Sequence, residues 1–84
     1  MDEEMRTHRH QWTSLHQAGL ISLQEARLAL YDLEKMAQGA ADGTCAGPTL
    51  DEFAQVRRLF NEAEAKRREA DAFVEQFLGV AVLH

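Results

Sequence analysis

The stretch GLISLQEARLALYDLEKM, residues 19–36, decides the fold because it combines signals for the end of one helix and the start of another. Gly19 can adopt the left-handed conformation that commonly ends a helix. Ser22 and Glu25 have the spacing of a capping box, and Ile21 precedes them as a candidate hydrophobic staple. The pattern therefore predicts a corner between two helices.

Strong helix formers dominate the chain on both sides of GAADGTCAGP, a glycine-rich loop over residues 39–48. The predicted helices cover about residues 2–18, 23–38 and 50–78. The fold class is all-α: a small helical hairpin or a three-helix bundle with one long C-terminal helix, completed by self-association or by a partner. Residues 1–84 are expected to form a single domain that ends in an apolar tail over 79–84.

The last predicted helix begins at a capping box formed by Thr49 and Glu52 and carries apolar residues at alternating spacings of three and four. This seam consists of Phe53, Val56, Phe60, Ala63, Arg67, Ala70, Val74 and Phe77. Arg67 is its only charged member. Its methylenes could lie along the groove with the guanidinium in water, or the charge could fix the register with a partner.

The middle helix has a narrow apolar stripe of its own, which fits antiparallel or coiled-coil packing. The stripe consists of Leu23, Ala26, Leu30, Leu33 and Ala37. Leu28 lies almost opposite this stripe, with Ile21 and Tyr31 beside it in projection. Either the helix is sandwiched between two others, or Leu28 and Tyr31 belong to an exposed partner site.

The last predicted helix is longer than the middle one, at roughly 42 Å against about 24 Å. A tight hairpin would therefore leave the distal end of the last helix without a partner from the middle helix. The residues concerned are Phe73, Val74, Phe77 and Leu78. Either the first helix extends over them across the corner, or a second chain covers them.

Composition excludes several classes of function. The 84 residues carry a formal charge of −5, which argues against nucleic-acid binding, and no run approaches the length of a membrane span. Cys45 is the only cysteine, so no internal disulfide can form and a cytoplasmic location is expected. The chain offers no grouping of nucleophile, base and orienting acid, and we predict neither an enzyme nor a small-molecule substrate.

Clustered histidines and the glycine-rich loop do not predict a cofactor or a metal. His8, His10 and His16 lack the spacing of four residues that lets two imidazoles on a helix share one ion. The loop lacks the lysine of a phosphate-binding loop and the oxygen ligands of a calcium-binding loop. No metal or cofactor is therefore expected.

The sequence thus predicts a small non-enzymatic helical module for protein–protein interaction, such as an adaptor, a chaperone-like cofactor or an inhibitor. The predicted contact residues are Phe60, Ala63, Arg67, Ala70, Phe73, Val74, Phe77, Leu78, Leu28 and Tyr31. The partner is another protein, the chain itself as a homodimer, or both. In size and hairpin character the chain resembles the small helical chaperones of bacterial secretion systems.

The alternative is a dimeric transcriptional regulator. Residues 15–30, LHQAGLISLQEARLAL, resemble the sequence of a helix-turn-helix motif. Gln24, Glu25 and Arg27 would then lie at the start of the recognition helix. In that case the last helix would form the dimer.

Overall fold

The computed structural model describes residues 2–77 of the chain. Two helices run antiparallel over this range, α1 from Asp2 to Asp42 and α2 from Leu50 to Phe77. No strand occurs among the described residues, so the predicted all-α class is confirmed. The architecture is a two-helix hairpin, with one helix fewer than the three predicted.

The predicted corner between residues 18 and 23 is wrong, because α1 continues through it without a break. Gly19 does not have the positive φ of a helix cap; it faces α2, where an added Cβ would lie 3.8 Å from the backbone nitrogen of Arg67. Ser22 is only 4% exposed, at the contact with α2. These small residues let the two helices approach closely. Gly and Ser are also the residue types that favour helix caps, so the local sequence is the same in the two cases.

Helix α1 ends at Asp42, whereas the predicted middle helix ended at residue 38. Gly43 ends the helix. Gly43 has a φ of 79°, and its N–H donates to the carbonyl of Ala40 at 3.2 Å. The N–H of Thr44 donates to the carbonyl of Gly39 at 2.8 Å. This pair of hydrogen bonds is a Schellman motif, which satisfies carbonyls that a helix end leaves without partners.

The start of α2 confirms the predicted capping box. The N–H of Glu52 donates to Thr49 Oγ1 at 3.2 Å, and the N–H of Thr49 donates to Glu52 Oε1 at 3.1 Å. The acidic first turn, with Asp51 and Glu52, also suits the positive end of the helix dipole. The residues predicted to end this helix, Leu78 and Gly79, lie outside the described residues.

Continuity of α1 also resolves the difference in helix length. The N-terminal part of α1 lies beside the distal end of α2, where the ring of His8 stacks on Phe77 at 4.9 Å and meets Phe73 edge-on at 6.0 Å. Phe73 is half-buried, and Phe77 remains 41% exposed. The distal end of α2 is therefore covered by the N-terminal helical segment of the same chain, which was one of the two arrangements considered. The segment reaches it as part of a continuous helix and not across a corner.

The contact between α1 and α2 is made mainly of small side chains. The buried residues are Ser22, Ala26, Leu33, Ala63 and Ala70. No large side chain is fully buried among the described residues. The hairpin is also elongated, with extents of 63 × 21 × 19 Å and a radius of gyration of 18.5 Å, against about 12 Å for a compact domain of this length.

Candidate partner-binding groove

The predicted apolar seam of α2 is divided between two environments. Ala63 and Ala70, seven residues apart, are buried against α1. The other heptad position holds Phe53, Phe60, Arg67 and Val74, each seven residues after the one before. Phe60 and Val74 are only half-buried, and Phe53 is 50% exposed. Half of the seam therefore contacts α1, and the other half flanks the contact.

The stripe of the middle segment of α1 is divided in the same way. Ala26 and Leu33 are buried, at 0% and 8% exposure, whereas Leu23 and Leu30 are half-buried and Ala37 is exposed. On each helix, therefore, buried residues are flanked by half-buried apolar residues at a neighbouring heptad position. A helix in a four-helix bundle uses both positions, because it packs against two neighbours.

The flanking positions border an apolar groove of about 490 Å³ on one face of the hairpin. Its lining residues are Trp12, Leu15, His16, Gly19, Leu20, Leu23, Phe60, Ala63, Glu64, Arg67, Ala70, Asp71 and Val74. Gly19, Ala63 and Ala70 are small residues and leave space between the two helices. The α1 side is almost entirely apolar, and all the charged groups lie on α2.

The charged groups of the groove form a short network on α2. Arg67 Nε lies 3.9 Å from Asp71 Oδ2, with both side chains more than 70% exposed. Just outside the groove, Arg68 Nε lies 3.6 Å from Glu64 Oε1. Exposed pairs of this kind contribute little to stability. In the single hairpin the Arg67 side chain is therefore largely in contact with water.

The predicted contact residues fall into distinct places. Phe60, Ala63, Arg67, Ala70 and Val74 line the groove. Phe73 and Phe77 pack on each other, with ring centroids 4.8 Å apart, and on His8. The remaining predicted residue of α2, Leu78, lies outside the described residues.

Leu28 and Tyr31 belong to a second surface, which we call the outer stripe and which consists of Ile21, Leu28 and Tyr31. These side chains are 58%, 59% and 56% exposed. The amine of Lys35 lies 5.0 Å from the centre of the Tyr31 ring. Only α2 packs on α1 among the described residues, so the expectation of a middle helix sandwiched between two others is wrong.

The α1 half of the groove was missed at the level of sequence, although a signal was present. Apolar and small residues continue at spacings of three and four through the predicted corner: Trp12, Leu15, Gly19, Ser22, Ala26, Ala29 and Leu33. A helix that ended at residue 18 would interrupt this seam. The uninterrupted register was therefore a sign of one long helix.

The histidines lie against aromatic rings. His16 stacks on Trp12, with ring centroids 4.8 Å apart and planes 12° from parallel, while His8 contacts the two phenylalanines at the end of α2. Within the part of the chain that the structure describes, no three side chains of metal-ligating type come together. Cys45 is exposed, and its thiol donates to the carbonyl of Met36 at 3.2 Å.

Comparison with known proteins finds no matching family model, no similar curated protein and no similar solved structure. Neither of the two described helices is long and apolar enough to cross a membrane.

Proposed function

We propose that this chain is a small helical protein–protein interaction module that binds a partner through the groove between α1 and α2. The single observation that carries the proposal is the groove itself. Its apolar walls, including Trp12, Leu20 and Phe60, remain at least partly exposed on the hairpin. Apolar side chains that line a groove and stay partly exposed are typical of an interaction site.

The overall surface area supports the same function. The chain exposes 6776 Å², whereas a globular monomer of 9.5 kDa exposes about 5,000 Å². The excess is about a third of the expected value. In this hairpin α1 and α2 leave Leu23, Phe60 and Val74 only half-buried, and a partner that supplies further helical surface could cover them.

Photo-crosslinking inside cells tests this function. A photoreactive phenylalanine analogue in place of Leu20 would face the groove, and the same analogue in place of Leu28 would face the outer stripe. We expect the probe at Leu20 to give a discrete protein adduct that the probe at Leu28 does not give. Loss of the adduct in a chain that also carries Phe60→Asp would assign it to the groove. Absence of any protein adduct at Leu20 would refute the proposal.

The regulator alternative lacks its main structural support. It depended on a turn between residues 18 and 23, and α1 is continuous there. The residues assigned to the start of a recognition helix, Gln24, Glu25 and Arg27, lie in the interior of a helix of 41 residues. We therefore propose the interaction module alone.

A further inference from the structure

We infer that the occupant of the groove is a second copy of this chain, so that two hairpins pack face to face into a four-helix bundle. This inference rests on the proposed function and names its partner. The pattern of buried and half-buried residues is the first argument, because on each helix buried residues are in contact and the adjacent heptad position includes half-buried residues that line the groove, Leu23 on α1 and Phe60 and Val74 on α2. Stacking a second hairpin on this face would bury the adjacent position of all four helices.

The exposed area provides the second argument. The chain exposes 6776 Å², roughly 1,700 Å² more than a globular monomer of its mass. A stable standard-size interface buries about 800 Å² on each partner. The excess surface of one hairpin, taken over the whole chain, is larger than the area that one partner contributes to such an interface.

The third argument is that the groove side of α2 is self-complementary. Phe60, Arg67 and Val74 line the groove, and Phe53 continues the same row; the even spacing of seven residues lets each member lie opposite another member in an antiparallel pair. In the register centred between Phe60 and Arg67, each Phe60 meets Arg67 of the second copy, and each Phe53 meets Val74. The one cation in this row then lies against an aromatic ring rather than its own like charge. An isologous interface requires self-complementarity of this kind.

Leu20 and Leu28 provide a matched pair of test positions on the same helix. Leu20 lines the groove and is 53% exposed, whereas Leu28 lies on the outer stripe and is 59% exposed. Replacing either by Asp changes an exposed leucine of the hairpin, so the two substitutions should affect the folded monomer alike. They should affect a face-to-face dimer differently, because only Leu20 would become buried in it.

Sedimentation equilibrium of the purified wild type, Leu20→Asp and Leu28→Asp decides between the outcomes. We expect the mass of two chains for the wild type and for Leu28→Asp. For Leu20→Asp we expect a dimer dissociation constant at least roughly 30-fold higher than that of the wild type, because both copies lose an apolar contact. Leu20→Gln, which keeps a good helix former, should weaken the dimer in the same direction. Circular dichroism verifies that each variant remains helical.

A single-chain mass for the wild type at every concentration would overturn the dimer, as would dissociation by Leu28→Asp but not by Leu20→Asp. The cellular crosslink separates this failure from failure of the proposed function. If the wild type is a monomer that still crosslinks through position 20 to a different protein, the interaction module stands and the dimer is refuted. A monomer with no adduct would contradict both the dimer and the interaction module.

Discussion

The replacement Gly19→Ala tests the continuity of α1 through the sign of its effect on stability. In the structure Gly19 lies inside a helix, where glycine is less favourable than alanine by about 1 kcal/mol. The new methyl group would lie 3.8 Å from Arg67 N and Lys66 Cβ, which is ordinary van der Waals contact. We therefore expect Gly19→Ala to stabilise the protein by about 0.5 to 1 kcal/mol.

A corner at this position would reverse the sign. If Gly19 were a left-handed helix cap, alanine would be strained there and would destabilise the protein by roughly 1 kcal/mol. Gly43 provides this case within the same chain, because its φ is 79° and no atom lies within 4 Å of an added Cβ. Gly43→Ala therefore measures the cost of a left-handed cap without a steric clash.

Thermal and urea unfolding of wild type, Gly19→Ala and Gly43→Ala provide the measurement. For a chain of this size 1 kcal/mol corresponds to about 4–8 °C in Tm. We expect Gly19→Ala to raise Tm and Gly43→Ala to lower it. All three proteins must be compared at equal concentration, because dimerisation makes Tm depend on concentration. A fall in Tm for Gly19→Ala similar to that of Gly43→Ala would refute a continuous α1.

Three further substitutions test the helix contact, the capping box and the groove network. Ala26 is 0% exposed, so Ala26→Leu should overpack the contact with α2 and lower the free energy of unfolding by about 1–3 kcal/mol in a urea titration. The control is Ala65→Leu at an exposed site, which should have little effect in the same titration. Thr49→Ala removes the side-chain oxygen that caps α2 and should lower the free energy of unfolding by about 1 kcal/mol. An unchanged urea midpoint would show that this cap does not stabilise the hairpin. Asp71→Asn, measured in the Leu20→Asp background that leaves the groove open, should change the free energy of unfolding by less than about 1 kcal/mol, since its pair with Arg67 is exposed in the single hairpin, and a larger loss would contradict the small contribution expected of this pair.

The helical class and the start of α2 could be predicted because their signals are local. Thr49 and Glu52 satisfy each other within one turn, and no distant residue is needed to interpret them. The heptad positions of α2 were likewise identified correctly as apolar. Which of them are buried against α1 and which flank the contact could not be predicted, because this depends on the angle at which α1 approaches.

Gly19 shows why the architecture was harder to predict than the helices. Its residue type fits a helix cap and also fits close approach of two helices, and the local sequence favours neither. The choice is made by contacts with Lys66 and Arg67, more than 45 residues away in the chain. The longer register of small and apolar residues from Trp12 to Leu33 held the deciding information, and it had to be followed across the apparent corner.

Small-angle X-ray scattering of the wild-type protein tests the central claim most directly, because it reports mass and length together. A single hairpin is 63 Å long and about 20 Å in its other two dimensions. Two hairpins packed face to face along the groove should give a particle of two-chain mass with a length still close to 63 Å. A particle of one-chain mass, or a two-chain particle nearly twice as long, would contradict the account.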